Sequence, residues 1–163
     1  MLHVLSLNDK NEKAFSKLFT DYYKELGCDD DCGHLLKEYV LPDLLAGLIS
    51  IEVIEDGEEV AGFIIYQIDG IENEWNFKEG FGDVREIYVV PSRRRNGLGK
   101  LMLYTAELKM KERGAEKSYC LPYEGAVPFF TACGYLQTEE YSNDLDCPVF
   151  EKQNLDNTCK HCK

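Results

Sequence analysis

The residues best suited to chemistry lie between Ile87 and Lys100, where Ile87-Tyr88-Val89-Val90-Pro91 runs into Ser92-Arg93-Arg94-Arg95-Asn96-Gly97-Leu98-Gly99-Lys100. A β-branched and aromatic run that stops at proline, followed by glycines and a periodic apolar stretch, reads as strand, turn and helix. Such a turn aims several main-chain N–H groups, and the positive end of a helix dipole, at one place. Phosphate or diphosphate is the ligand that place suits. Gly97 and Gly99 carry no Cβ, so an anionic oxygen can come close to the chain. Four of the 18 basic residues, Arg93, Arg94, Arg95 and Lys100, fall within eight positions, in a chain of net charge −12. That island points to a bound anion.

Other phosphate turns fit poorly. A P-loop needs glycine where Arg94 stands and Ser or Thr where Leu101 stands. A dinucleotide fingerprint needs a third glycine in place of Met102. An arginine triplet can mark a nucleic-acid patch, but here it stands alone in an acidic chain. The plainer alternative is an ordinary helix start with solvated arginines.

The elements that must position this turn follow from periodicity. Leu2–Leu7 reads as a short strand, and Asp9–Leu26 as a helix with Phe15, Leu18, Phe19, Tyr22 and Leu26 on one stripe, stopped at Gly27. A second helical stretch spans about Leu35–Leu48, interrupted near Pro42. Strands Ile49–Glu55 and Glu59–Ile68 flank the turn Glu55-Asp56-Gly57-Glu58. Asp69–Gly82 reads as a polar loop and Asp83–Val90 as a strand. A helix over Leu98–Arg113 ends at Gly114. A strand at Glu116–Leu121, a short helix at Gly125–Cys133, a strand opening at Gly134-Tyr135 and a last strand at Cys147–Glu151 complete the order β-α-α-β-β-β-α-β-α-β-β. That order predicts a mixed α/β sheet with helices packed on it.

With Pro91, Arg94, Gly97 and Gly99 in place after a hydrophobic strand, the turn resembles the Arg/Gln-x-x-Gly-x-Gly/Ala motif of the GNAT acetyltransferase superfamily. The resemblance implies the GNAT fold, a mixed, mostly antiparallel central sheet of about six to seven strands flanked by about four helices. It implies acetyl-CoA as co-substrate, with the diphosphate held by the backbone of Arg95, Asn96, Gly97, Leu98, Gly99 and Lys100. Tyr88, Val89 and Val90 would border the pantetheine arm, and the Val89 amide or a neighbour would polarise the thioester carbonyl. Arg93 or Arg94 would meet the phosphates.

Tyr123 to Tyr135 resembles the family's second motif, Asn-x-x-Ala-x-x-x-Tyr followed by Gly-Phe, through Ala126, Gly134 and Tyr135. Tyr123 replaces the usual Asn. Phe130, expected beside the cofactor, replaces the tyrosine that in many members protonates the departing thiolate. Phe130 has no proton to give. A thiolate leaves readily without an acid, given a reference pKa of about 8.5. Tyr123 is the candidate acid and Tyr135 a second, unless both are packing aromatics.

The family's usual acceptor is a primary amine, protonated near neutral pH because alkylamines titrate at about 10. Strand alternation puts Val84, Glu86, Tyr88 and Val90 on one face and Arg85, Ile87 and Val89 on the other. Glu86 is therefore the candidate general base or amine anchor, ahead of Glu124, Glu72 and Glu74. Its plainer reading is a solvent-facing strand carboxylate.

Bulk properties fit a soluble protein. The 163 residues are 44% hydrophobic and 29% charged, enough for one domain with its own core. We expect one catalytic domain over residues 1–152 and a tail over 153–163. The acidity disfavours nucleic acid and anionic lipid. No apolar run is long enough to span a bilayer, and the first residues lack a signal-peptide pattern, so the expected location is the cytoplasm. Seven cysteines then read as thiols. Cys159-Lys160-His161-Cys162, or Cys28, Cys32 and His34, are fragments of a metal site at most, and no metal is expected. The expected partner is a small-molecule or peptide amine, and the state a monomer or homodimer.

Overall fold

In the computed structural model, which describes residues 1–28, 30–153 and 155, the strands and helices follow the expected order. Seven strands are hydrogen-bonded in the order β1-β2-β3-β4-β5-β7-β6. They are β1 Leu2–Ser6, β2 Ser50–Asp56, β3 Glu59–Ile68, β4 Gly82–Val89, β5 Ser118–Cys120, β6 Leu136–Ser142 and β7 Cys147–Lys152. Pairing is antiparallel for β1 with β2, β2 with β3, β5 with β7 and β6 with β7, and parallel for β4 with β5. The sheet is thus the mixed, mostly antiparallel one expected.

The chain divides into two compact units. The first comprises Met1–Tyr66 and Glu86–Ala106. Its first helix, α1 (Glu12–Glu25), buries Phe15, Leu18 and Phe19 along one face. Against them pack alternate residues of three strands: Ile51 and Val53 of β2, Phe63 and Ile65 of β3, and Tyr88 of β4. Burying each large side chain contributes roughly 1.5–3 kcal/mol. The helix begins three residues later than its spacing predicts. Asn8 and Asn11 close a turn first: the Asn8 amide donates to Asn11 Oδ1 at 2.8 Å and the Glu12 amide to the Asn8 carbonyl at 2.9 Å.

The second helical stretch starts at Cys32, as α2 (Cys32–Leu35), and continues through a π turn, Leu36–Val40, into α3 (Leu41–Leu45). The predicted break at Pro42 is therefore a widened turn just before it. Proline has no N–H to give the fourth residue back and its ring collides with that carbonyl; the wider turn accommodates both. The longest helix, α4 (Leu98–Glu112), buries Leu98, Met102, Leu103 and Ala106 in this unit.

The second unit comprises Gln67–Arg85 and the chain from Glu107 onward. It contains β5, a 3-10 turn at Glu124–Ala126, α5 (Val127–Ala132), β6 and β7. Its core holds a polar network. Glu107 accepts from Tyr135 Oη at 3.1 Å and from Lys152 Nζ at 2.7 Å, and the Tyr135 and Ser118 hydroxyls are 2.9 Å apart. Burial, followed by the Glu107 charge, pushes the Tyr135 phenol well above its ordinary range.

The loop after β3 is tied down rather than open. Buried Asp69 accepts the Phe77 and Lys78 amides and the Tyr119 hydroxyl on Oδ2, and Gln67 Nε2 on Oδ1. Main-chain bonds from Asp69 to Phe81 and from Gly80 back to Asp69 close its base. Leu155, at the start of the expected tail, is buried and its amide lies 3.4 Å from the Glu116 carbonyl. Among the described residues no helix is long and apolar enough to cross a membrane.

Candidate functional site

Strand parity puts Glu86, Tyr88 and Val90 on the α1 side of β4. Tyr88 joins the aromatic core there, 5.9 Å from Phe63 and 5.6 Å from Tyr22 between ring centroids. Glu86 is half-buried and held from α1 at both oxygens. Tyr22 Oη donates to Oε2 and Tyr23 Oη donates to Oε1 at 3.0 Å.

Beyond Glu86 the strand hands over to the arginine-glycine turn. The Val90 amide donates to the Ala61 carbonyl at 2.9 Å, which keeps this end of β4 on β3. A 3-10 turn, Pro91–Arg93, follows. Arg95 and Gly97 then take left-handed backbone angles, φ 64° and 81°, which reverse the chain into α4. Gly97 suits that conformation because it lacks a Cβ; Arg95 adopts it at a steric cost. The first helical bond of α4 runs from the Leu101 amide to the Gly97 carbonyl at 3.0 Å. The amides of Leu98, Gly99 and Lys100 precede that bond and gather at the positive end of a 15-residue helix. Buried Leu98 anchors the helix start, while Asn96, Gly97 and Lys100 are exposed.

Arg93 and Arg94 have carboxylate partners. Arg93 Nη1 lies 2.7 Å from Asp56 Oδ2 and Nη2 lies 3.7 Å from Glu59 Oε2. Arg94 donates from Nε to the Val89 carbonyl at 2.9 Å and from Nη2 to Glu25 Oε2 at 2.7 Å, with its guanidinium 5.5 Å from the Tyr88 ring centre. The Arg94 hydrogen bond holds the Glu25 carboxyl below its ordinary range. Burial, then the Glu25 charge, raises the Tyr88 phenol. The motif arginine thus ties the turn to the last turn of α1.

The sequence profile of the acetyltransferase (GNAT) family matches residues 7–135. The chain belongs to the GNAT acetyltransferase family. No curated protein matches it. Solved structures share its fold. The PaiA N-acetyltransferase of Thermoplasma acidophilum, in complex with coenzyme A, superposes with a TM-score of 0.76 at 14% identity over 94% of this chain and 99% of that one. A GNAT-family acetyltransferase of Staphylococcus aureus Mu50 gives 0.74 at 13% identity over 95% and 99%. A predicted acetyltransferase of Clostridium acetobutylicum, with acetyl-CoA, gives 0.72 at 20% identity over 88% and 95%.

The other residues singled out from the GNAT motifs lie in the second unit. Phe130 is buried edge-on to Phe129 and to Tyr135, at 5.2 and 5.4 Å between centroids. Tyr123 is exposed at the start of the 3-10 turn, its ring against Gly125. Tyr135 has its hydroxyl inside the Glu107 network, away from solvent. Glu72, Glu74 and Glu124 are exposed, and Trp75 contributes its carbonyl to Gln67 Nε2 at 2.7 Å. Among the described residues no group of three or more His, Cys, Asp or Glu side chains is placed to hold a metal. Cys159, His161 and Cys162 lie outside the described residues.

Sequence reasoning missed Tyr23 altogether and took Tyr22 only as part of a packing stripe. Their hydroxyls reach a carboxylate 63 and 64 positions away. The consecutive Tyr-Tyr pair on α1 was the available signal.

Proposed function

We propose that this chain is an acetyl-CoA-dependent N-acetyltransferase acting on a primary amine of a small molecule or peptide. The observation that carries it is the turn itself: left-handed Arg95 and Gly97 gather the Leu98–Lys100 amides directly after a strand bearing a fixed carboxylate. Two proteins of the same fold were solved with coenzyme A and with acetyl-CoA. In this reading the amides from Arg95 to Lys100 grip the diphosphate, chiefly by main-chain dipoles. Arg93 and Arg94 support the turn through Asp56 and Glu25. Tyr88, Val89 and Val90 border the pantetheine arm. Val89 is the amide that polarises the thioester, because that of Val90 already donates to Ala61.

Glu86 receives the proton of the incoming ammonium, directly or through water. The amine nitrogen then attacks the acetyl carbonyl, a C–N bond forms and the C–S bond breaks. As the thiolate leaves, the new amide nitrogen sheds its second proton to water, and the thiolate takes up a proton from water to depart as coenzyme A. Holding the two reactants together supplies much of the acceleration. We take residues 1–152 as one catalytic domain working in the cytoplasm.

Phe130 favours a second reading, a non-catalytic acyl-CoA-binding protein on the same scaffold. Calorimetry with acetyl-CoA, then thiol release with n-butylamine, spermidine, an aminoglycoside, a free amino acid, a peptide N-terminus and a lysine peptide, separates the two. Heat with thiol release supports the enzyme, and heat alone supports the binder. Absence of heat rejects both. Glu86→Gln should bind acetyl-CoA as the parent does and lose at least about tenfold in rate; full activity removes Glu86 from the mechanism.

A further inference from the structure

Tyr22 and Tyr23 are neighbours on α1, yet both hydroxyls converge on one carboxylate of β4, one on each oxygen. Packing alone would be served by phenylalanine, as Phe19 and Phe15 serve it one and two turns earlier. Each phenol instead exchanges part of its water for Glu86. Their rings are fixed before any ligand arrives. Tyr22 stands edge-on to Phe63 at 5.8 Å and to Tyr23 at 5.1 Å, and Tyr23 leans on Phe19 at 4.8 Å. The hydroxyls are therefore held by the aromatic core, and the long, rotatable Glu86 side chain is held by the hydroxyls.

We propose that Tyr22 and Tyr23 are positioning residues for Glu86, a clamp that fixes its carboxylate in the orientation and the ionised form the acceptor amine requires. This rests on the reading of Glu86 given above. Two donors on an acceptor favour its charged form, so the carboxylate keeps its charge to lower pH than it would without them. Other ionisable groups on this face are Tyr88 of β4, the Glu25–Arg94 pair beside it, and Asp21 of α1, whose charge acts on Tyr88. Tyr→Phe substitutions leave all of these in place.

The test compares parent, Tyr22→Phe, Tyr23→Phe, the double variant and Glu86→Gln. Carboxyl 13C NMR titration reads Glu86 directly, its signal assigned by disappearance in Glu86→Gln. The pH profile of kcat/KM is taken with acetyl-CoA and the fastest amine of the panel, and melting temperature is recorded alongside. Each lost hydroxyl should move the Glu86 midpoint and the acid limb of the profile upward together, by roughly 0.5–1 pH unit. At the optimum kcat/KM should fall about 5- to 50-fold, and the double variant should exceed either single one. A lower melting temperature with an unmoved midpoint and profile would reduce the tyrosines to packing and overturn the clamp. Full activity of Glu86→Gln would instead overturn the assigned base, and the clamp's catalytic role with it.

Discussion

Replacing Gly62 by alanine adds one methyl group where β3 faces the backbone of β4. A Cβ built there falls 2.4 Å from the Tyr88 carbonyl oxygen, 3.0 Å from Met102 Cε and 3.3 Å from Ile54 Cγ2. The methionine end can swing aside, but the carbonyl belongs to the backbone of the strand that carries Glu86. A carbon–oxygen contact normally needs about 3.3 Å, so β4 must retreat by roughly 0.9 Å at Tyr88. Overpacking of that order costs about 1–3 kcal/mol. For a chain of this size that lowers the melting temperature by roughly 3–10 °C. A displacement near 1 Å at the end of β4 should also lower kcat/KM by about 10²-fold. Calorimetric melting and initial rates measure the two effects. Gly33 is the control, since a Cβ there meets nothing within 4 Å, so Gly33→Ala should be neutral or stabilising by up to about 1 kcal/mol. Melting and rates for Gly62→Ala equal to those of the parent would refute the reasoning.

Two further outcomes follow from the charged groups. Glu25 has its carboxyl held below the ordinary 4.5 by Arg94, so its contribution is complete above that value and fades as pH drops through the lower folded one. Because both partners are about two-fifths exposed, the pair contributes only about 0.5 kcal/mol. Melts of Glu25→Gln should lie roughly 1–2 °C below the parent at pH 7 and converge with it once pH falls below the lowered folded value; a gap unchanged in acid would contradict the pairing. Asp69→Asn swaps one acceptor oxygen for a donor among four donors, which should cost about 2–4 kcal/mol. Limited proteolysis should then cut between residues 70 and 80 faster than in the parent, and parent-like cleavage and melting would count against the staple.

Much of this architecture is legible in the residue pattern because it depends on periodicity and on special backbone positions. Phe15, Leu18 and Phe19 show the buried face of α1, and alternation along β4 sets Glu86 beside Tyr88. Gly97 marks the reversal into α4. Less legible are the far ends of side chains. Spacing reveals which way Tyr22 faces, but not that its hydroxyl extends past the core to Glu86. The arginines look like an unpartnered cationic island until folding brings up Asp56 and Glu25 from distant positions. Asp69 reads as the first polar residue of a loop, since only the folded chain delivers the donors it gathers. The π turn before Pro42 has no marker of its own: the proline shows that the backbone must adapt, not where.

The closed base of the segment between Asp69 and Phe81 separates its tip from strand registry. Whatever lengthening occurs within residues 71–74 begins and ends at anchors that are already joined, and doubling such a tip costs only about 0.6 kcal/mol in closure entropy. Exposed Ile71 marks the spot. Natural variants can therefore gain or lose residues there, and a reporter peptide can be grafted there, while the β-ladder on either side stays as it is.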